Sequence, residues 1–362
     1  MTKLKAVVLY GGRSTEHEIS CRSASYIFAN IDRQLYDVYA IAIDKQGVWR
    51  PQNRHRLEQQ VPEVMPLGSG EDADRASHEL VQQIVTPGGN KEGIVIFNIL
   101  HGTYGEDGSM QGFLDMQGIA YVGPGTLGSA LAMDKVVAKQ LVSLAGVPVV
   151  PYVAFRADAW ANSSTGILKE ITEKLRFPLF IKPASLGSSV GIRKVTEQRD
   201  LEGAIKYALG YDERILVEIG LDVREIEYAC LGGYEPKVSA AGEIGVPDGF
   251  YSYEEKYAST SRASVQVPAR LEARVAAAGQ ELAKKIFRAL NLYGLARIDL
   301  FLTRDEGNFY FNEANTLPGF TSISQYPKLW EHSGYSAKQL VSELLELAVQ
   351  RRHQNAHLKR SI

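Results

Sequence analysis

The chain has 362 residues, 45% of them hydrophobic and 23% charged, with a formal net charge of -2. That length implies two or three domains, and the composition is that of a globular protein with no field strong enough to steer it to nucleic acid or a membrane surface. Cys21 and Cys230 show no metal-ligand or redox spacing, no apolar run approaches the ~20 residues that span a bilayer, and the N-terminus has no signal-peptide pattern, so a reducing cytoplasm is expected.

In chain order, residues 6–10 (AVVLY) read as a buried strand, ended by Gly11-Gly12 and followed by a polar turn and a helix over residues 20–30. VYAIAI (38–43) and IVIFNIL (94–100) add two apolar strands, giving a doubly wound, Rossmann-like α/β layer. The turn GGRSTEHE lacks the G-x-G-x-x-G spacing, which argues against a dinucleotide site. Glu16, with His17 and Glu18, lies past the first strand's carboxyl end, where open α/β sheets hold ligands; it suits a substrate ammonium, and equally an acid at the positive end of a helix. Residues 52–91 are polar and broken by prolines, as in a surface insertion with one helix over 77–85. In HGTYGEDG (101–108) the glycines imply close backbone approach, and His101 is either a substrate-orienting group or a hydrogen-bonded structural histidine.

Residues 109–116 form a helix closed by Gly118, and 128–145 a longer one carrying Lys135 and Lys139 one turn apart, a spacing usual for solvated lysines. Pro148 and Pro151 mark the passage into a second domain. FPLFIKPASLGSSVGIRKV (177–195) reads as strand, loop, strand, with Lys182 ending the first strand and the N–H and hydroxyl groups of a loop containing Ser188 and Ser189 suited to phosphate. No lysine follows the second glycine and no helix follows the turn, so this is not a Walker A loop; a two-strand lid closing over ATP meets the same electrostatic need. After a helix over 199–209, ILVE (215–218) leads into an apolar linker with Leu221. Glu218 and that linker suit an adenosine, although a plain strand-end charge fits the sequence as well. EIEYACL (225–231) opens a third domain, and residues 246–264, with Phe250, Lys256 and Tyr257, form a long loop of the covering type. A helix over 269–290 packs through Leu271, Val275, Ala278, Leu282 and Ile286. A terminal helix over 336–351 gives way to a frayed tail.

ARIDLFL and NFYFNEAN read as the arms of a β-hairpin closed by the three-residue loop Asp305-Glu306-Gly307. That register sets Asp299 opposite Glu313 and Arg297 opposite Asn315, all on one face, with Leu300, Leu302 and Tyr310 on the other. Two carboxylates and an amide oxygen make a hard site suited to Mg²⁺ or Mn²⁺ completed by phosphates and water; charges solvated on exposed strands are the plain alternative.

The segments GGRSTEHEIS, LHGTYGEDGSMQG, AMDK, FIKPASLGSSVG, LVEIGLDVREIE, FYSYEEKY, ARIDLF and NEANTLPGFTSIS occur in one order, and with them the chain resembles the D-alanyl-D-alanine ligases of the ATP-grasp family over nearly its whole length. The resemblance implies a three-domain ATP-grasp fold divided as 1–134, 135–222 and 223–362, and an ATP-dependent condensation of two D-alanines through a D-alanyl phosphate, for peptidoglycan. It places ATP on Lys135, Lys182, Ser188, Ser189, Glu218, Leu221, Glu225, Phe250 and Lys256, and two magnesium ions on Asp299, Glu313 and Asn315. D-Alanine would meet Glu16, His101, Lys256, Tyr257 and Ser324, with Ser188 linking Glu16 to Tyr257. Arg297 and the N–H of Gly319 match the oxyanion-stabilising pair, and Tyr257 favours D-alanine over D-lactate as acceptor. A cytoplasmic homodimer joined through the N-terminal domain, with no nucleic-acid or membrane partner, is also implied.

Overall fold

The computed structural model describes residues 3–245 and 264–359; the expected roles of Phe250, Lys256 and Tyr257 lie outside the described residues. The first sheet contains β1 (Leu4–Gly11), β2 (Tyr36–Ile43), β3 (Trp49–Pro51), β4 (Ile94–Asn98) and β5 (Ala120–Tyr121), in the order β3-β2-β1-β4-β5. β1 pairs in parallel with both β2 and β4, so the strand order reverses at β1, as in a doubly wound layer. The unbroken AVVLY run has its cause here: Ala6 and Val8 face the helix His17–Asn30, while Val7 and Leu9 face the helix Arg75–Val85, so both sides of the strand are dry.

Two local expectations change. The first helix begins at His17, three residues early, which puts Glu16 at its N-cap. Residues 52–91 are more than surface: helices Arg54–Gln59 and Arg75–Val85 form there, and Gln52, Leu57, Met65, Leu80 and Lys91 are buried. The apolar residues of this stretch are few but fall at helical spacing, enough to dock it on the sheet.

The second sheet is antiparallel, with β6 (Tyr152–Arg156), β7 (Leu179–Pro183), β8 (Arg193–Val195) and β9 (Arg214–Ile219) in the order β6-β9-β7-β8. Helices Ala157–Lys174 and Gln198–Leu209 cover one face through Ile167, Ile171, Leu201 and Ile205.

The third sheet runs β13 (Ser264–Gln266), β12 (Gly242–Gly245), β10 (Val223–Gly232), β14 (Gly294–Thr303), β15 (Phe309–Asn315), with β11 (Pro236–Val238) also on β10. Ile226, Tyr228, Ile298 and Leu300 pack one face onto the helix Ala273–Ala289, which begins after Leu271 rather than at residue 269. The other face is divided. Ala229, Leu231 and Leu295 join the core of the first sheet, whereas Glu225, Glu227, Arg297, Asp299 and Phe301 open onto a cleft. The last helix, Ala337–Ala356, outruns its expected end because Arg351 donates to the carbonyls of Gly123 (2.6 Å) and Tyr121 (3.0 Å), and Arg352 to that of Gly118 (2.7 Å).

Candidate active site

The second and third sheets face each other across a cleft. The expected single helix over 128–145 breaks at Asp134 into Thr126–Met133 and Lys135–Leu144. The Asp134 carboxylate accepts from the amides of Val136 (2.9 Å) and Val137 (3.0 Å), and its other oxygen meets Arg214 at 2.8 Å. An acid capping orphan amides in this way starts a helix with no glycine or proline needed. The break brings Lys135 to the cleft, where Nζ donates to the Leu186 carbonyl (2.7 Å) in the β7–β8 loop and lies 3.2 Å from Glu313. Lys139 is 1% exposed, with Nζ 3.0 Å from Glu218. Neither lysine is solvated: the spacing said that they share a face, and that face points inward.

Glu218, opposite Phe180 on the β7–β9 ladder and only 2% exposed, also contacts Lys182 two residues along. Burial pushes the Glu218 carboxyl up, but the Lys139 and Lys182 ammonium groups outweigh it and hold its pKa down at about 2. Burial pulls the Lys139 ammonium below its ordinary value against the attraction of Glu218. The carboxylate's direction governs the group, since two cations face one anion. Glu218 is thus no plain strand-end charge. Beside it, Val150, Phe180, Ile192, Ile219 and Leu221 make an apolar wall, and Ser189 and Glu225 line the same cleft. Ser188 and Ser189 both hold left-handed backbone angles, at φ 52° and 59°. Such angles are uncommon outside glycine and mark a tightly specified loop.

The hairpin wall reaches the expected pairing by an unexpected route. Arg297 lies opposite Asn315 and Asp299 opposite Glu313, but nearer the turn the register is one residue shorter, Phe301 with Tyr310 and Leu302 with Phe309. The loop has four residues rather than three, since Gly307 N donates to Thr303 O and Thr303 N to Asn308 O. A bulge after Asp299 absorbs the difference, and Asn312 and Glu313 both reach the cleft. Without it, the ladder would set Asn312 opposite Asp299 and turn Glu313 toward the apolar face. Tyr310, expected on that apolar face, instead pairs with Phe301 on the cleft side.

Arg297 forks onto Asp299 (2.8 and 2.7 Å) and lies 3.3 Å from Glu227, which is opposite Asp299 on β10. Burial opposes the guanidinium's charge, yet Asp299 and Glu227 raise its pKa well above normal. The Asn315 amide nitrogen donates to Asp299 (2.9 Å), leaving its carbonyl oxygen as an acceptor.

At the far end, the β1 and β4 loops meet at the switch point of the first sheet. The Ser188 hydroxyl donates to Glu16, joining the β7–β8 loop to the first domain. A Cβ at Gly102 would come 2.8 Å from the Glu16 carboxylate, so Glu16 is part of what the glycine-rich loop admits so closely. His101 is buried, with Nδ1 3.2 Å from Glu106 and Nε2 3.2 Å from the Ser23 hydroxyl. Burial pulls the imidazole down, but Glu106 outweighs it and the net shift is upward. Ser23 in turn accepts from Phe320 N (3.1 Å), so His101 braces the Gly319 loop as a hydrogen-bonded histidine. Ser324 accepts from Thr321 N (3.0 Å) within a local turn, and a Cβ at Gly319 would lie 3.1 Å from its hydroxyl.

A family model described as D-ala D-ala ligase N-terminus matches residues 5–124, and one described as D-ala D-ala ligase C-terminus matches residues 141–346. The chain is 44% identical to the D-alanine–D-alanine ligase of Oceanobacillus iheyensis over 99% of both chains, and 42% identical to D-alanine–D-alanine ligase A of Bradyrhizobium diazoefficiens over 99% of this chain and 98% of that one. The chain belongs to the D-Ala–D-Ala ligase family. Among solved structures, the VanG D-Ala:D-Ser ligase of Enterococcus faecalis superposes with a TM-score of 0.80 at 35% identity, covering 96% of this chain and 100% of that one. The D-alanine–D-alanine ligase of Coxiella burnetii superposes with a TM-score of 0.81 at 31% identity, covering 98% and 97%. The fold is the ATP-grasp fold expected from the sequence.

In this member of the D-Ala–D-Ala ligase family, sequence reading missed Lys139, Phe180, Glu227, Phe301 and Asn312 as parts of the site. Phe180, Glu227 and Phe301 sit two residues along a strand from Lys182, Glu225 and Asp299, and period two alone would have found them. Among the described residues no group of three or more His, Cys, Asp or Glu forms a metal cage. The paired carboxylates of Asp299 and Glu313 with the Asn315 oxygen are nevertheless an all-oxygen set of the kind that fits a small hard cation completed by phosphates and water.

Proposed function

We propose that the protein joins two D-alanines at the expense of ATP, through a D-alanyl phosphate, giving D-Ala–D-Ala, ADP and phosphate. The observation that carries this reading is the opposition, across one cleft, of a lysine-bearing wall and an oxygen-donor hairpin face. Lys135 and Lys182 neutralise the nucleotide phosphates as compact charges, while Glu218, Leu221, Glu225 and the apolar wall around Phe180 hold adenosine. Glu16 and Ser188 take the ammonium of the first D-alanine, and Ser324 takes the carboxylate of the second. Arg297 and Gly319 N–H face the tetrahedral oxyanion, where each donor is typically worth roughly 3 to 4 kcal/mol. The β7–β8 loop keeps water from the acyl phosphate.

Asp299, Glu313 and Asn315 would hold Mg²⁺, or Mn²⁺ in its place, which when bound supplies charge neutralisation at the transferred phosphoryl group. The domain divisions at 134/135 and 222/223, the cytoplasmic location, the peptidoglycan role and a homodimer belong to the same proposal. No helix among the described residues is long and apolar enough to cross a membrane.

The test is ADP release with D-alanine as sole acceptor, with product mass recorded. Dipeptide formation that disappears in Glu313→Gln while the thermal melt is unchanged supports the reading; wild-type turnover in that variant removes the hairpin site from it. A D-serine acceptor is the second reading, favoured by the 35% identity to a D-Ala:D-Ser ligase, and product mass from mixed acceptors separates the two.

A further inference from the structure

We infer that Lys139 is a positioning residue, a fixed buried counter-ion that lets Lys182 exchange Glu218 for the phosphates of a nucleotide. The inference deepens the ATP reading above and rests on it.

The two oxygens of Glu218 face different ammonium groups, Oε1 facing Lys182 and Oε2 facing Lys139 at 3.0 Å. The two lysines are held differently. Lys139 comes from the helix behind the cleft, is 1% exposed, faces Glu218 as an ion pair, and donates to the Phe311 carbonyl (3.2 Å), tying that helix to the back of the hairpin. It is absent from the cleft lining, so it has no line of approach to a phosphate. Lys182 lines the cleft, with its ammonium 5.9 Å from the Phe180 ring and 5.7 Å from the Phe301 ring. Rings offer a cation a shallow attraction that does not fix one rotamer.

Suppose Glu218 had only Lys182. Drawing that lysine onto a phosphate would then strand a buried carboxylate without counter-charge, a state costly enough to hold the lysine back. Lys139 removes that penalty, because Glu218 stays paired whichever partner Lys182 takes. The Lys139 charge stays beside Oε2, so the oxygen that Lys182 vacates, Oε1, is the one left to accept from a donor on the bound base. Lys139 touches no substrate in this scheme; it acts only through Glu218.

The experiment is a double-mutant cycle on the full-length enzyme, read as the KM for ATP and the KM for D-alanine. Lys139→Met is expected to raise the KM for ATP by about tenfold or more, with the KM for D-alanine within about twofold of wild type. In a Glu218→Gln background, which has no anion to compensate, the same substitution is expected to shift the KM for ATP by less than about twofold. An equal rise in both backgrounds would assign Lys139 to tethering Phe311 and overturn the inference, as would an unchanged KM for ATP in the single variant. Should Lys139→Met alone not fold, the double variant decides: a folded protein matching Glu218→Gln supports the inference, and an unfolded one overturns it. A wild-type enzyme that consumes no ATP overturns the proposed function along with it, whereas normal wild-type turnover with additive variants overturns this inference alone.

Discussion

At one wall of the cleft an acid, Glu218, sits between two bases, Lys182 in the lining and Lys139 behind it; on the facing wall a base, Arg297, sits between two acids, Asp299 and Glu227. Glu218 is buried and Arg297 half-buried at the cleft surface, and each compensates two charges of the other sign. A wall built in this way keeps an excess of its flanking charge without exposing an unpaired ion to the interior. Among the described residues the lysine wall is therefore fitted to phosphates and the hairpin wall to a cation, and the two signs stay separate because Lys182 and Glu218 belong to the second sheet and Arg297, Asp299 and Glu227 to the third. Lys135 bridges them, 3.2 Å from Glu313.

The contrast breaks most severely at its centres. Arg297→Met leaves Asp299 and Glu227 facing each other across β14 and β10, and should cost about 3–5 kcal/mol in urea unfolding at neutral pH. A loss under about 1 kcal/mol would show that the guanidinium is not the keystone of that wall. The opposite centre is read by acid. The folded-state pKa of Glu218, about 2, lies below its ordinary 4.5, so its contribution to stability is present above pH 4.5 and is lost as pH falls toward 2. Comparing wild type with Glu218→Gln over that window should show a shallower acid limb in the variant, and superimposable limbs would refute the assignment.

Smaller effects test how the walls are aimed. Ser188→Ala removes the hydroxyl that meets Glu16 and should raise the KM for the first D-alanine roughly tenfold, the worth of one hydrogen bond to a charged group. The smallest is Arg214→Ala, which frees the Asp134 cap from a part-exposed ion pair at 2.8 Å and should cost under about 1 kcal/mol by thermal melting. A larger loss would mean that the break before Lys135 depends on Arg214 and not on the cap alone.

Much of this was legible in the residues because it follows from period two. Asp299, Glu313, Arg297 and Asn315 had to share a face once the hairpin was recognised, and the strands around AVVLY and ILVE are plain in the apolar pattern. The hairpin register was reached through two errors that cancel, a loop one residue too short and a bulge left out. A bulge at Asn312 depends on what packs beneath the strand, and no local propensity encodes it. Lys139 was misjudged for a related reason: helical spacing fixes which residues are neighbours, but only tertiary packing decides which way their shared face turns. The break at Asp134 was within reach, since an acid directly before KVVAKQL is an N-cap signal even inside a continuous helical pattern.

The last helix has a consequence for how the chain is made. Leu340, Val341 and Leu344 share one buried cluster with Ala6, Val8 and Ala24, and Arg351 closes onto Tyr121 and Gly123. A ribosome therefore delivers the first sheet before its cover is complete: the helix His17–Asn30 covers β1 early, but one side of β4 and β5 stays wet until the final helix has been translated. For most of synthesis the nascent amino-terminal half carries an apolar sheet covered only in part, and that interval is when a chaperone, or aggregation, has its opening.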